Sequence, residues 1–149
     1  MTGAGARTSE PGTASLARAA VLGSMTIPGE PAQVRDARRF VAAAVDDPGA
    51  AGTAALLTSE LVTNAIVHSS SGCRGGTVTI VVTEAAGGIR VEVADAGSDR
   101  AWPAVRHEPY AADGHGLLLV QSLADDWGYV RDEIGTTVWF WLASGRPAG

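Results

Sequence analysis

The sequence predicts an α+β fold: a two-layer sandwich, with a mostly antiparallel mixed sheet carrying helices on one face. Three observations predict it. Residues 50–67 form a long apolar-periodic run without proline, which reads as a helix. Residues 77–83 and 89–94 are β-branched, alternating runs joined by Ala85-Ala86-Gly87-Gly88, the pattern of a half-buried antiparallel hairpin. The order helix, helix, two strands, loop, helix, two strands then assembles as a sheet with helices segregated to one side.

Taken in order, residues 1–24 are rich in Gly, Ala, Ser and Thr and read as a disordered tail, with a short helix near residues 15–22. Met25, Thr26 and Ile27 form a short edge strand ended by Pro28-Gly29. Pro31 suits the first turn of a helix, and Glu30 places negative charge at its N-terminus. That helix runs to Val45, with Val34, Ala37, Val41, Ala44 and Val45 on its apolar face. Arg35, Arg38 and Arg39 lie largely on the solvent side, either as a solvated face or as a dock for an acidic partner. Asp46-Asp47-Pro48-Gly49 ends it. After the central helix, Ser69, Ser70, Ser71, Gly72, Gly75 and Gly76 mark a loop. The 89–94 strand runs directly into Asp95-Ala96-Gly97-Ser98. Residues 99–113 lack periodicity and are broken by Pro103 and Pro109; a loop of that length in a compact domain is usually functional or mobile. Gly114-His115-Gly116 opens a helix over residues 117–126, with Leu117, Val120 and Leu123 inward. Residues 127–131 and 136–142 form a last hairpin, and residues 143–149 a frayed tail. One domain, residues 25–142, is expected.

Composition narrows the chemistry. The 149 residues, 46% hydrophobic and 18% charged, suit one domain with a substantial core. A formal charge of −5 and a pI near 5.0 argue against a nucleic-acid footprint, which needs a basic face. All 11 basic residues are arginines. The absence of lysine excludes a lysine nucleophile, a Schiff base, a Walker lysine and the eukaryotic-type protein kinase site. Cys73 is the single cysteine, so no intrachain disulfide forms. No uninterrupted apolar run approaches 18 residues, so no membrane span is expected. No signal peptide is read, and the expected location is the cytoplasm.

Three elements carry polar groups that can meet in one pocket. Glu60, Asn64 and His68 stand at i, i+4, i+8 and share one helix stripe. Leu61, Val62, Ala65 and Ile66 cover the other side, so the stripe faces either a cavity or simply water. Asp95 ends a strand, with Gly97 two residues on. Gly114 and Gly116 stand at a helix N-terminus, where backbone approaches a phosphate closely and the helix favours an anion.

The E-(x)3-N-(x)3-H helix, the D-x-G turn about thirty residues on, the Gly114-His115-Gly116-Leu117 box and a closing Gly135-Thr136-Thr137 strand resemble the GHKL ATPase superfamily. Its members, among them gyrase and the histidine kinases, share the Bergerat fold. Within it the chain is similar to the small stand-alone proteins related to anti-sigma-factor serine/threonine kinases, on A-R-R-F-V, S-E-L-V-T-N-A, G-L-L-L-V and T-V-W-F.

The resemblance implies ATP with Mg²⁺ and a role for each matching residue. Glu60 matches the general base, a carboxylate able to accept the proton of an attacking hydroxyl. Asn64 matches the Mg²⁺ ligand, its amide oxygen a hard neutral donor. Asp95 matches the adenine reader: it accepts from the exocyclic amine and repels the oxygen of guanine. Gly97 leaves room for the base. Gly114, His115, Gly116 and Leu117 match the second glycine box, whose backbone N–H groups reach the phosphates. Thr137, with Thr136 as a second candidate, matches the threonine that supports the adenine site. His68 is read either as near the phosphates or as a helix cap, and His115 either as a phosphate contact or as exposed. His68, Cys73 and His115 match no known zinc spacing.

In the first glycine box Asp99 replaces the second glycine, so modest nucleotide affinity or a differently arranged lid is expected. The lid offers Arg100 and Arg106 as cations. The implied function is an ATP·Mg-binding regulatory kinase that phosphorylates a Ser or Thr of a small antagonist protein and also holds a sigma factor. The other readings are a non-catalytic module that binds nucleotide weakly or not at all and sequesters a partner, and an α+β protein without a nucleotide site. The subgroup implies a homodimer.

Overall fold

The structure, a computed structural model, describes residues 20–68, 75–95, 115–131, 133 and 135–145. Strand β1 (Ala20–Pro28) leads through a 3₁₀ turn (Pro31–Gln33) into α1 (Val34–Ala44) and α2 (Pro48–His68). Strands β2 (Thr77–Ala85) and β3 (Gly88–Asp95) follow, then α3 (His115–Leu123), β4 (Asp126–Arg131) and β5 (Thr136–Ala143). One five-stranded sheet forms, in the order β1-β2-β3-β5-β4.

This is the α+β sandwich that the pattern predicts, with one correction. Every neighbouring pair of the described strands is antiparallel, so the sheet is not mixed. Its hairpins explain why. Ala86 and Gly87, with φ of 52° and 81°, make a two-residue turn of the primed type, whose twist matches that of the flanking strands. Asp95 therefore lies at the far end of the hairpin, opposite Val78.

The pleat divides the sheet into two faces. Ile27, Val78, Ile80, Val82, Val91, Val93, Val138, Phe140 and Leu142 point to one side and join a single core cluster with Ala37 and Val41 of α1, Leu57, Leu61, Val62 and Ala65 of α2, and Val120 of α3. The helices thus share one face. Cross-strand neighbours Thr83, Arg90 and Trp141 point the other way, as do Glu92 and Trp139.

Helix α2 is the centre of the helical layer, packed against α1, α3 and the middle of the sheet. Pro48 stands at its first turn, where a missing N–H costs nothing. Asp47 organises that end: its Oδ1 accepts from Gly49 N (2.9 Å), its carbonyl from Ala50 N and Ala51 N, and its Oδ2 from Gly145 N (2.9 Å). The same carboxylate therefore starts the helix and holds the chain beyond β5. By length and composition, residues 48–67 are apolar enough to cross a membrane, contrary to the count of uninterrupted apolar residues. Half of that span is buried inside the domain, which is the pattern of a core helix.

The ends of several elements move. β1 begins at Ala20 rather than Met25, so residues 20–22 are strand rather than helix or tail. Pairing with β2 along nearly its whole length supplies the hydrogen bonds that the Ala- and Gly-containing sequence does not advertise. A bulge at Leu22 shifts the register, and Gly23 follows it because a Cβ there would touch the Phe40 ring at 3.0 Å. The first helix starts as 3₁₀ and becomes α at Val34. α3 spans His115–Leu123 rather than 117–126, because Asp126 already belongs to β4. β5 includes Ala143, and Ser144 N still donates to Gly87 O, so the expected tail begins later.

Candidate functional site

The site begins with where the pleat leaves Asp95. Val91 and Val93 point into the helix-side core, and Asp95 follows them in the same alternation. It is 7% exposed, a carboxylate held at the end of a buried strand rather than in solvent. A carboxylate so placed needs donors. One is Thr136 N, which donates to Asp95 Oδ1 at 3.1 Å. β5 begins at Thr136, so the first N–H of that strand clamps the last side chain of β3.

This arrangement separates the two candidate threonines. Thr136 shares the parity of Val138 and Phe140 and is buried on the helix side. Thr137 is opposite Ala94 and Val130, on the other face of the sheet. The backbone donor to Asp95 is therefore that of Thr136, the second of the two candidate threonines. The signal was in the sequence: Val138 and Phe140 are the inward residues of the strand, and counting back by two reaches Thr136.

Helix α2 brings the second set to the same side of the sheet. Glu60 and Asn64 are both half-buried, bordered by the fully buried Leu61, Val62 and Ala65. Their stripe is the boundary between the packed side of α2 and its open side, where Leu56 and Val67 are exposed. Among the described residues no hydrogen bond or ion pair occupies the Glu60 carboxylate or the Asn64 carboxamide. Neighbouring Ser59 and Thr63 instead turn back on the helix, donating to Leu56 O (3.0 Å) and Ser59 O (2.8 Å). Ser59 and Thr63 are thus occupied by the helix itself, while the Glu60 and Asn64 side chains between and beside them are not.

The third set is reached in part. His115, Gly116 and Leu117 form the first turn of α3, whose leading N–H groups have no intrahelical acceptor. α3 packs on α2 and β4, so its N-terminus belongs to the helical layer that also carries Glu60 and Asn64. Gly97, Asp99, Arg100, Arg106, Gly114 and Cys73 lie outside the described residues, as do the side chains of His68 and His115.

The donors suit a hard cation held mainly by a ligand. Among the described residues no three His, Cys, Asp or Glu side chains gather to hold a metal by themselves. Mg²⁺ needs no such cage, since it keeps waters and phosphate oxygens and takes one or two protein oxygens. The uncommitted Asn64 carboxamide can supply one. Asp95 can accept from a base amine at the sheet end, and the first turn of α3 can donate to phosphate.

No curated protein matches the chain. A family model does, over residues 27–142, from the last part of β1 to the end of β5. With its buried strand-end aspartate, its Glu/Asn helix and its antiparallel sheet, the chain belongs to the histidine kinase-like ATPase domain family.

Proposed function

We propose that the protein binds ATP·Mg²⁺ and acts as a regulatory serine/threonine kinase of the anti-sigma-factor type, phosphorylating a small antagonist protein. The observation that carries the nucleotide part is Asp95. It is a buried carboxylate on the helix side of the sheet, fixed by Thr136 N, on the same side as the uncommitted Glu60 and Asn64.

Asp95 accepts a hydrogen bond from the exocyclic amine of adenine and rejects guanine, which presents an oxygen there. Thr136 N holds Asp95 Oδ1 and so limits the directions from which a base can approach. The N–H groups at the start of α3 receive phosphate oxygens. Bound ATP·Mg²⁺ supplies the transferable phosphoryl group and neutralises its developing charge. Asn64 Oδ1 holds one coordination position of the cation. Glu60 accepts the proton of the attacking Ser or Thr hydroxyl, or orients that hydroxyl.

A second reading, a nucleotide-binding module that sequesters its partner without chemistry, is favoured by Asp99, which puts an acidic residue where the glycine box calls for glycine. One pair of measurements tests both. Thermal stabilisation by ATP with Mg²⁺, absent with GTP and lost in Asp95→Asn, is expected under either. Labelled phosphate from [γ-³²P]ATP is then followed onto Ser or Thr of small proteins captured from native extract. Transfer abolished by Glu60→Ala supports the kinase. Transfer that survives Glu60→Ala removes the base from the mechanism, and binding without any transfer leaves the sequestering module.

A further inference from the structure

Two hydroxyl groups of α2 bond back to carbonyls of the same helix, and both bonds fall on the turn that holds Glu60 and Asn64. Ser59 Oγ donates to Leu56 O at 3.0 Å, and Thr63 Oγ1 donates to Ser59 O at 2.8 Å. Each of those carbonyls already serves the helix. In the i→i−4 ladder Leu56 O accepts from Glu60 N, and Ser59 O accepts from Thr63 N. The backbone N–H of Glu60 therefore shares its acceptor with a side chain. So does the N–H just before Asn64.

The bonding is one-sided. At about 100° per residue, Leu56 and Thr63 lie within roughly 60° of Glu60 on the helix circumference, and Ser59 lies roughly 100° away in the same direction. Thr58 lies nearly opposite, roughly 160° from Glu60, and its buried Oγ1 makes no such bond. A second donor on a carbonyl draws it away from the helix axis and lengthens the N–H bond that it already accepts. Applied to one side alone, this tilts the turn against the rest of the helix. Leu57, Leu61, Val62 and Ala65 are fixed in the core, so the adjustment falls on the side where Glu60 and Asn64 stand.

We propose that Ser59 and Thr63 are positioning residues for the nucleotide site. Their back-bonds set the tilt of the Glu60–Asn64 turn. That tilt sets the direction from which the Asn64 carboxamide meets the cation and the Glu60 carboxylate meets the attacking hydroxyl. The proposal rests on the ATP·Mg²⁺ reading given above. Both hydroxyls act through the helix, not on the nucleotide. Groups that orient a metal ligand typically change metal affinity or activity by about 10- to 100-fold when they are lost.

Calorimetric titration of the full chain with ATP, with and without Mg²⁺, tests this. The gain in ATP affinity on adding Mg²⁺ is expected to fall at least about tenfold in the double variant Ser59→Ala, Thr63→Val. Thr63→Val alone moves it in the same direction. Thr63 is exposed, so that variant leaves the core untouched. Thr63→Ser keeps the hydroxyl and the wild-type gain. ATP affinity without Mg²⁺ is expected to stay within about twofold in every variant, because the base end is held by Asp95, on another element. A hydroxyl that merely stabilised the helix would weaken ATP binding equally with and without the cation. That result overturns the proposal, as does an unchanged Mg²⁺ gain in the double variant. A wild type that binds no ATP removes the nucleotide reading itself, and this proposal with it.

Discussion

The two faces of the sheet are built from the same strands and obey different rules. On the helix side β3 contributes Ile89, Val91 and Val93, all buried in apolar contact, and ends in Asp95 with a backbone donor on its carboxylate. On the other side it contributes Arg90, Glu92 and Ala94, and there the buried donors outnumber their acceptors. A period of two places a hydrophobic core and a charged, aromatic surface one residue apart. The helix side therefore gains stability from area removed from water, about 25 cal/mol per Å². The other side depends on whether each buried polar atom is matched, since an unmatched one costs about 1–3 kcal/mol.

That contrast can be broken at graded cost. Phe140→Ala empties the middle of the helix-side core, where the ring is wholly buried. A loss of about 3–5 kcal/mol is expected in urea unfolding, and a loss under 1 kcal/mol would mean that the helices do not rest on that strand. On the opposite face, Gly88→Ala drives a Cβ to 2.2 Å from Leu142 O and 2.9 Å from the Trp141 indole, which is pinned by its bond to Ala85 O. Backbone cannot retreat as a side-chain tip can, so about 1–3 kcal/mol of stability should be lost, read from the same denaturation curves. Asp95→Asn keeps an oxygen for Thr136 N but turns part of the carboxylate into a donor. Calorimetric titration should show ATP·Mg²⁺ affinity reduced by about ten- to a hundredfold, or about 1.4–2.7 kcal/mol, with the unfolding midpoint of the unliganded protein little changed. The smallest effect is a gain. Thr58 Oγ1 is fully buried without a partner. Thr58→Val should stabilise by about 1 kcal/mol, and destabilisation of that size would reveal a hydroxyl contact.

Much of this was legible in the residues. Apolar period and the absence of proline marked α2 from residue 50, two residues after its observed start at Pro48. The strict alternation of β3 and the Ala86-Gly87 turn marked the hairpin, because local backbone geometry decides both. Glu60 and Asn64 were legible as one stripe because helical spacing makes them so. β1 was not: residues 20–24, Ala-Val-Leu-Gly-Ser, carry little strand propensity, and they extend because β2 offers a ladder to pair with. The residues alone left Thr136 and Thr137 both as candidates beside Asp95, and in a strand one position is the other face.

By itself the sequence determined the type of most elements, the first half of β1 excepted, and which residues share a stripe, since those follow from backbone sterics and side-chain period. It also determined which chemistry was absent, through its lack of lysine. Only the tertiary structure decided that Asp95 is buried and receives Thr136 N, that α2 keeps Glu60 and Asn64 at the edge of its packed side, and that Arg90 is hidden against Trp139 with donors unmet. Each of these depends on contacts between residues far apart in the chain, and no local preference encodes which neighbours a folded chain will supply.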